Sequence, residues 1–345
     1  MLAITICATE SYTYAMRAQA RRVIANLDLA GINPPDAHIV LIGDDSKAIK
    51  AVAKAYEVML PPGFPVTLIN DPTFKEGGAN YKEQAQLLIA AMRQAAFTFA
   101  RKIGANMVWS LDSDTLPPDN ALRCMLHMLE FDGGYYSIST CPYPNTGFLG
   151  GFGTPQNPIA EDFLPHERKL SPRLKLCHDT CEKRLKEAKD QKVADKEQKR
   201  MQRLRERIKK CPPDGNVFTL NGKFGYRRRG WMDQAYPGIG RGSVVPTDWC
   251  GFGCTLMNKR ALTAAHFDGY DGKGTEDLFI VWRRWHQAGL RLNVIAHCPC
   301  DHVIWEKKKG GDAGKYVMHS SYHETDGECV GHLRTRQTPW VPETI

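Results

Sequence analysis

The sequence lacks a hydrophobic run long enough to cross a bilayer. Its longest apolar stretch, residues 85–100, is interrupted by Arg93, whereas a membrane-spanning helix needs about 20 mainly apolar residues. The opening residues, MLAITICATES, contain no basic segment followed by an apolar run and a small-residue cleavage site, so they predict a strand and not a signal peptide. We therefore expect a protein with no membrane span, located in the cytoplasm.

The sequence also lacks cysteines at the spacing of a standard zinc-binding motif. The 11 cysteines are an odd number, which in a chain without an export signal favours thiols that stay reduced or bind metal. Cys177, Cys181 and Cys211 would meet if a helical hairpin closed, and they are a candidate Zn²⁺ site, although buried apolar cysteines are the commoner case. A second candidate cluster, open to the same two interpretations, consists of HCPCDH at 297–302 with His319, His323 and Cys329.

The overall composition is that of a globular protein. Of the 345 residues, 42% are hydrophobic and 24% charged, which suits one large α/β domain or two smaller ones. It excludes a disordered tail, a collagen-like fibre and a small disulfide scaffold.

Strand-like and helix-like segments alternate in the N-terminal part of the chain. This order predicts a Rossmann-like α/β fold, with a mostly parallel sheet covered by helices on both faces. The predicted strands are 3–9, 37–46, 65–70 and 106–114, and the predicted helices are 14–27, 47–60, 81–102 and 120–130. Three of these strands end in polar residues, where α/β sheets place their ligands.

One segment supplies the whole positive charge. Residues 166–211 hold 17 Lys and Arg against 8 Asp and Glu, so the rest of the chain sums to −1. Residues 173–210 contain neither Gly nor Pro, and two narrow apolar seams predict an inserted basic helical hairpin, with a single long solvated helix as the alternative. The expected parts are 1–165, 166–212 and 213–345.

The motif LDSDTLPPDNAL at 111–122 is the sharpest chemical signal. Asp112 and Asp114 flank Ser113 directly after an apolar strand, and a turn there would let both carboxylates converge on one cation. Carboxylate oxygens suit Mg²⁺ or Mn²⁺, which keep coordination positions open for phosphate. The alternative is that the motif only caps the helix that follows.

A second acidic pair, Glu276 and Asp277, follows the flexible segment GKGT at the start of a predicted helix. Acidic residues in a first turn are stabilised by the helix dipole alone. In this position, however, they are also placed to accept a proton from an incoming hydroxyl group.

Taken in order, these motifs resemble the GT-A-fold glycosyltransferases. The sequence has a strand ending in Thr-Glu-Ser, a strand ending in Asp-Asp, an N-Y-x-x-Q helix start, VWSLDSDTLPP, Gly-x-Gly, GTEDLF and a late histidine. The resemblance covers 3–160 and 215–305 and leaves the basic segment outside. It implies a nucleotide-sugar donor, most simply a UDP-sugar, and a Mn²⁺ or Mg²⁺ ion.

The resemblance also assigns roles to particular residues. Asp112 and Asp114 would match the family's metal-binding motif, and His302, with His297 as its rival, would complete the coordination. Glu276 or Asp277 would act at the acceptor hydroxyl. The positions expected around the donor are Thr9, Glu10, Asp44, Asp45, Asn80, Gln84 and Ser113, with Gly251 and Gly253 near the sugar or acceptor.

The basic segment raises the question of the acceptor. Lys and Arg neutralise phosphates, so residues 166–211 and the run YRRRGW at 226–231 indicate nucleic acid, and a hydroxymethylated DNA base is one such acceptor. The protein would then belong to the viral DNA-modifying enzymes and act in the host cytoplasm. The alternatives are a solvated helical face, a cell-surface polysaccharide or protein acceptor, a nucleotidyltransferase, and a non-catalytic nucleic-acid-binding protein. A Gly-rich phosphate loop, usual in nucleotidyltransferases, is missing from ATESYTY.

Overall fold

A computed structural model gives the fold. It describes residues 1–74, 81–131, 134–143, 160–163, 217–220, 224–229, 244–247, 250–272, 275–295, 297–306, 314–325 and 330–342, with eight single positions between 183 and 202. These residues fall into two compact units, one made of 1–159 with 230–345 and the other of 160–229. The predicted boundaries at 165 and 212 stay a prediction.

The described strands number fifteen. Their bounds are β1 Leu2–Ala8, β2 Ala37–Gly43, β3 Val66–Asn70, β4 Met107–Asp112, β5 Thr115–Leu116, β6 Ile138–Thr140, β7 Ala160–Phe163, β8 Val217–Leu220, β9 Phe224–Arg229, β10 Val244–Thr247, β11 Cys254–Asn258, β12 Leu292–Ile295, β13 Asp301–Glu306, β14 Lys315–Thr325 and β15 Val330–Trp340.

The main helices pack beside these strands in the larger unit. Their bounds are α1 Met16–Leu29, α2 Lys47–Met59, α3 Tyr81–Lys102, α4 Ala121–Phe131, α5 Lys259–Ala264 and α6 Glu276–Ile280, and a π-helical turn, Val281–Trp285, continues α6. Local chemistry sets several ends. The Ser46 hydroxyl caps α2 by accepting from the Ile49 N–H at 3.3 Å. Gly104, at φ +72°, lies just past the end of α3.

Eight strands form the central sheet, in the order β10-β12-β6-β11-β4-β1-β2-β3. Six of them run in one direction, whereas β11 is antiparallel to β4 and β6, and β10 is antiparallel to β12. The predicted Rossmann-like α/β fold with a mostly parallel sheet is thus confirmed. The four strands and four helices predicted for the N-terminal part of the chain are present.

The central strands are almost entirely buried, as expected for a sheet with both faces covered. One hydrophobic cluster packs α1, α2 and α4 on one face. A second cluster packs α3, α5 and the π-helical turn on the other. The two clusters hold β1, β2 and β4 rigidly, so the residues at their carboxyl ends are presented from a fixed edge.

Two smaller sheets accompany the central one. Strands β5, β13, β14 and β15 form a four-stranded antiparallel sheet in the larger unit. In the smaller unit β7, β9 and β8 form a three-stranded sheet, and Glu161 and Asp162 of β7 lie opposite Arg228 and Arg227 of β9. The arginine run of the YRRRGW motif therefore has acidic register partners on the neighbouring strand.

Much of the predicted basic hairpin lies outside the described residues. Its described positions, Lys183 and seven others up to Gln202, are helical, which agrees with a helix but does not distinguish a hairpin from one long helix. Within the described residues, no helix combines the length and apolarity required to cross a membrane.

Candidate active site

A cavity of about 340 Å³ opens where β1 and β4 end. It therefore lies at the carboxyl edge of the parallel strands, the position at which sheets of this type bind ligands. Seven residues singled out from the sequence line this cavity together: Thr9, Asp112, Ser113, Asp114, Glu276, Asp277 and His302.

The Asp-Ser-Asp segment is a tight turn between β4 and β5, and three hydrogen bonds from two residues hold it. The buried Gln19 amide of α1 donates to the Asp112 carbonyl at 2.5 Å and to the Thr115 carbonyl at 2.8 Å. The Val303 N–H of β13 donates to the Asp114 carbonyl at 2.9 Å. Because the backbone is fixed in this way, the two carboxylates do not need to be ordered by a ligand.

His302 faces Asp114 across the turn. Its Nε2 lies 3.3 Å from Oδ2 of Asp114, and the exposed fractions of the two side chains are 10% and 18%. The pairing follows from sheet register, because His302 of β13 is the antiparallel partner of Thr115 in β5. The Tyr143 ring packs edge-on against the imidazole, with centroids 5.6 Å apart.

Arg93 of α3 joins the two acidic pairs. Its guanidinium donates to Oδ1 of Asp112 at 2.7 Å, to Oε1 of Glu276 at 3.2 Å and to the Ser110 hydroxyl at 3.0 Å. The residue is 3% exposed. Burial disfavours its charge, but Asp112 and Glu276 outweigh that effect and raise the pKa of Arg93 above its usual value. A buried charge of this kind requires such partners.

The two residues of the second acidic pair differ in environment. Glu276 is 6% exposed and bound to Arg93; burial raises the pKa of its carboxyl group. Asp277 borders the cavity and accepts the Leu278 N–H at 2.6 Å. Burial, followed by the negative charge of Glu276, raises the pKa of Asp277 to about 7. Asp277 is therefore the carboxylate whose protonation changes near neutral pH.

The two glycines of WCGFGC make room for Tyr143. A Cβ atom added at Gly253 would lie 2.6 Å from Cζ of that ring, and one at Gly251 would also collide with it. A Cβ at Gly251 would come within 3.3 Å of Oδ2 of Asp277 as well. Neither glycine is among the residues that line the cavity, so their contribution to it is to let Tyr143 in.

The first two strand ends are organised around Asp44. Its carboxylate accepts the Glu10 N–H at 3.1 Å and the Ser46 N–H at 3.2 Å, and it is 7% exposed. Asp45 lies outside it, with Lys50 Nζ at 2.6 Å and the Asn70 amide at 2.7 Å. Glu10, Asp44 and Asp45 are not among the cavity-lining residues, whereas Thr9 is.

The predicted donor contacts on α3 are not brought into the cavity. Gln84 is exposed and does not line it, and Asn80 lies outside the described residues. Two residues further along the same helix, Gln86 lines the cavity and accepts the Glu276 N–H at 3.3 Å. The thiols proposed for zinc, Cys177, Cys181 and Cys211, also lie outside the described residues.

Sequence reasoning missed three residues that build the site. Arg93 stood out only as a charge interrupting an apolar helix, which is itself the signal that a buried ion pair leaves. Gln19 sits in the same way as a polar side chain on the buried face of α1. Tyr143 had no local signal beyond its place in a loop rich in Gly, Pro and Asn.

Asp112, Asp114 and His302 form one side of the cavity, the carboxylate–imidazole wall. Their oxygen and nitrogen atoms fit a hard or borderline divalent cation. Asp114 and His302 already hold a carboxylate oxygen and an imidazole nitrogen 3.3 Å apart. Asp112 uses Oδ1 for Arg93 and can offer its other oxygen. Two carboxylates and one imidazole suit Mn²⁺, and also Mg²⁺ with water completing its shell.

No family model and no curated protein matches the sequence. Among solved structures, the chain is similar to A197 from STIV, with a TM-score of 0.35 and 10% identity over 88% of this chain and 85% of that one. It is similar to CMP:2-keto-3-deoxy-manno-octonic acid synthetase complexed with CTP, at TM-score 0.36 and 9% identity over 86% and 89% of the chains.

A third similar structure is GalNAc-T7 with UDP, GalNAc and Mn²⁺. The TM-score is 0.39 and the identity 10%, over 88% of this chain and 43% of that one. The structural neighbours thus include a glycosyltransferase and a nucleotidyltransferase, and the descriptions of these three do not mention DNA. Such distant likenesses assign no activity, which has to be argued from the cavity itself.

Proposed function

We propose that this protein is a metal-dependent glycosyltransferase that moves a sugar from a nucleotide-sugar donor to an acceptor hydroxyl group. One observation carries the proposal: a carboxylate–imidazole wall and a second carboxylate pair line the same cavity, and Arg93 joins them. Transfer from a nucleoside diphosphate needs both parts. A cation must neutralise the leaving diphosphate, and a base must accept the acceptor's proton if the configuration inverts.

Asp112, Asp114 and His302 would hold the cation. A divalent ion bound there would stabilise the negative charge that develops on the leaving diphosphate. The chain's own part is to fix the ligands beforehand. Gln19 and Val303 hold the backbone of the turn, so the carboxylates do not have to be repositioned when the donor binds.

Asp277 is the better candidate for the base. Glu276 is committed to Arg93, and its contribution is to keep the guanidinium in place. The pKa of Asp277, raised by burial to about 7, matches the requirement that a general base titrate near the working pH. The proton from the acceptor hydroxyl would go to an oxygen of Asp277 as the new glycosidic bond forms.

The nucleoside is proposed to lie toward the end of β1. Thr9 and Tyr12 line the cavity there, and Tyr12 is 36% exposed. An aromatic ring at a cavity mouth suits stacking against a nucleobase, and a hydroxyl group suits a hydrogen bond to ribose. A UDP-sugar remains the simplest donor, and GalNAc-T7, a similar structure, is described with UDP and Mn²⁺.

The deciding experiment measures which product is released. The purified chain is incubated with Mn²⁺ and a panel of UDP- and GDP-sugars, and release of nucleoside diphosphate is followed. Asp114→Asn should abolish release, while Asp119→Asn, an exposed aspartate on the same segment, should not. Release of pyrophosphate from a nucleoside triphosphate and a sugar would instead show a nucleotidyltransferase.

For the acceptor, we propose a polyanion bound by the basic segment 166–211, with modified DNA the first to test. The support is the net charge of +9 on this segment against −1 elsewhere. Binding of duplex DNA should weaken steeply with salt, by close to one log unit per log unit of salt for each phosphate contact. Deleting 166–211 should flatten this slope and leave donor hydrolysis intact. No binding at low salt would contradict the DNA acceptor and leave a polysaccharide or protein.

A further inference from the structure

Three buried thiols lie close together in the larger unit. The sulfur atoms of Cys141, Cys254 and Cys300 all lie within 4.8 Å of one another, and the three residues are fully buried. A second triad consists of Cys124, His297 and Cys298, whose ligand atoms also lie within 4.8 Å of one another.

Sheet register brings these thiols together from three distant parts of the chain. The Cys141 N–H donates to the Cys254 carbonyl at 3.0 Å, at the end of the β6–β11 pairing, so the two residues face each other. The Cys300 N–H donates to the Pro142 carbonyl at 2.7 Å. A disulfide can join only two of three sulfur atoms, whereas tetrahedral Zn²⁺, with bonds of about 2.3 Å, gathers thiolates about 3.8 Å apart.

An indole group supports a charged ligand here. Trp109 of β4 lies diagonally across from Cys254 on the same sheet face, because Leu256 is its register partner. Trp109 is fully buried, and among the described residues its Nε1–H has no oxygen or nitrogen acceptor. A metal-bound thiolate is a strong acceptor for such an indole N–H.

We propose that these three thiols hold one structural Zn²⁺ ion. Thiolate-rich, buried and closed sites of this type favour zinc over the harder Mn²⁺ or Mg²⁺. Each thiol would release its proton to solvent as the zinc–sulfur bond forms. This set shares no residue with the zinc site expected from the sequence at Cys177, Cys181 and Cys211, whereas Cys300 belongs to the second candidate cluster, at 297–302.

The position of the thiols gives the ion a function. Cys141 is two residues before Tyr143, Cys254 directly follows Gly253, and Cys300 is two residues before His302. One ion would therefore link the three segments that carry Tyr143, Gly253 and His302. Burying thiols within the hydrophobic cluster formed with α1, α2 and α4 also leaves the site closed to solvent.

The first test is the metal content of the full chain, and it does not depend on any transferase activity. The protein is produced with zinc in the medium, dialysed against a weak chelator and measured by mass spectrometry for zinc, manganese and iron. We expect about one zinc per chain. Absence of zinc, iron in its place, or a disulfide between two of the three cysteines would overturn the proposal.

Matched variants locate the ion. Cys254→Ser and Cys300→Ser should lower zinc to about a tenth or less, because each change removes one of the three thiolates that hold the ion. Cys250→Ser, which removes a buried thiol outside both triads, should retain it. Asp114→Asn should also retain it, which separates this site from the cavity wall. Equal zinc in all four variants would refute the assignment.

A measurement on the unaltered chain covers the case in which the cysteine variants do not fold. Titration with a mercurial reagent should release the zinc as the thiols react, and a zinc indicator counts it. Cobalt introduced in its place should show the strong visible bands of tetrahedral thiolate coordination. Bands typical of oxygen ligands would place the ion elsewhere and contradict the proposal.

Discussion

Arg93 donates a 2.7 Å hydrogen bond to Asp112, so the first carboxylate of the Asp-Ser-Asp turn is tied to a buried guanidinium on α3. The same guanidinium binds Glu276, and the Arg93 and Glu276 side chains are 4% and 7% exposed. The arrangement of both acidic pairs therefore depends on the buried charge of Arg93, which sequence reasoning did not assign to the site.

Replacing Arg93 with Met should substantially lower the free energy of unfolding. The change leaves two carboxylates near each other without their cation, and loss of one partner from a buried ion pair costs about 3–5 kcal/mol. Urea denaturation measures the loss. The matched control is Arg22→Met, because Arg22 pairs with Asp119 at 2.9 Å but their side chains are 41% and 51% exposed. The control should change the free energy of unfolding by about 1 kcal/mol or less. Equal effects would show that losing the ion pairs of Arg93 costs no more than losing an exposed pair.

The sequence predicted those parts of the site that depend on periodicity. Alternating strands and helices place the ends of β1 and β4 on one edge, so the proximity of Thr9, Asp112 and Asp114 followed from the topology alone. The Arg93 bridge did not, because its partners lie 19 and 183 residues away along the chain. Nothing in α3 specifies which strand end the buried charge of Arg93 will meet.

Sequence reasoning reached the three-thiol cluster only in part: Cys300 belongs to the candidate cluster predicted at 297–302, whereas Cys141 and Cys254 were not singled out. Its members come from the ends of β6 and β11 and from the loop before β13, and antiparallel insertion of β11 between β4 and β6 brings two of them together. Spacing along the chain instead drew attention to Cys177 and Cys181, one helical turn apart, and to the run HCPCDH at 297–302. Spacing finds ligands that share an element, not ligands gathered by a sheet.

The pH dependence of transfer should report the Asp277 carboxyl group. Because its pKa is raised to about 7, Asp277 is protonated at lower pH and unable to accept the hydroxyl proton. Turnover should therefore fall about tenfold per pH unit below pH 7 and level off above it. Asp277→Asn should lower turnover by about two to four orders of magnitude, leave donor affinity nearly unchanged and remove this limb.

Glu276→Gln provides the matched test of that assignment. Its negative charge raises the pKa of Asp277, so its removal should move the midpoint of the profile to lower pH while the limb persists. A profile that keeps its acidic limb in Asp277→Asn would show that another group is the base.

Asp114 and His302, whose side chains lie 3.3 Å apart, should contribute unequally to cation binding. Asp114→Asn removes a charged ligand and should abolish Mn²⁺-dependent turnover, whereas His302→Ala, which leaves both carboxylates, should weaken Mn²⁺ binding by about tenfold or more. Manganese titration followed by electron paramagnetic resonance measures the binding, and release of nucleoside diphosphate measures the turnover. Full turnover of the parent in excess chelator would contradict a metal-dependent reaction.

The contact between Gly253 and Tyr143 allows a prediction whose sign reverses with the background. The three heavy atoms nearest to a Cβ added at Gly253 all belong to the Tyr143 side chain, at 2.6, 2.7 and 3.0 Å. Gly253→Ala should therefore destabilise the protein by about 1–3 kcal/mol, since the ring has to move. In a Tyr143→Ala background the obstacle is gone, and the same change should be neutral or stabilise by up to about 1 kcal/mol, because alanine restricts the unfolded chain. Urea denaturation of the four proteins gives the coupling energy. If Gly253→Ala still destabilises the protein in the Tyr143→Ala background, the glycine is needed for its backbone conformation and not for the space that the Tyr143 ring occupies.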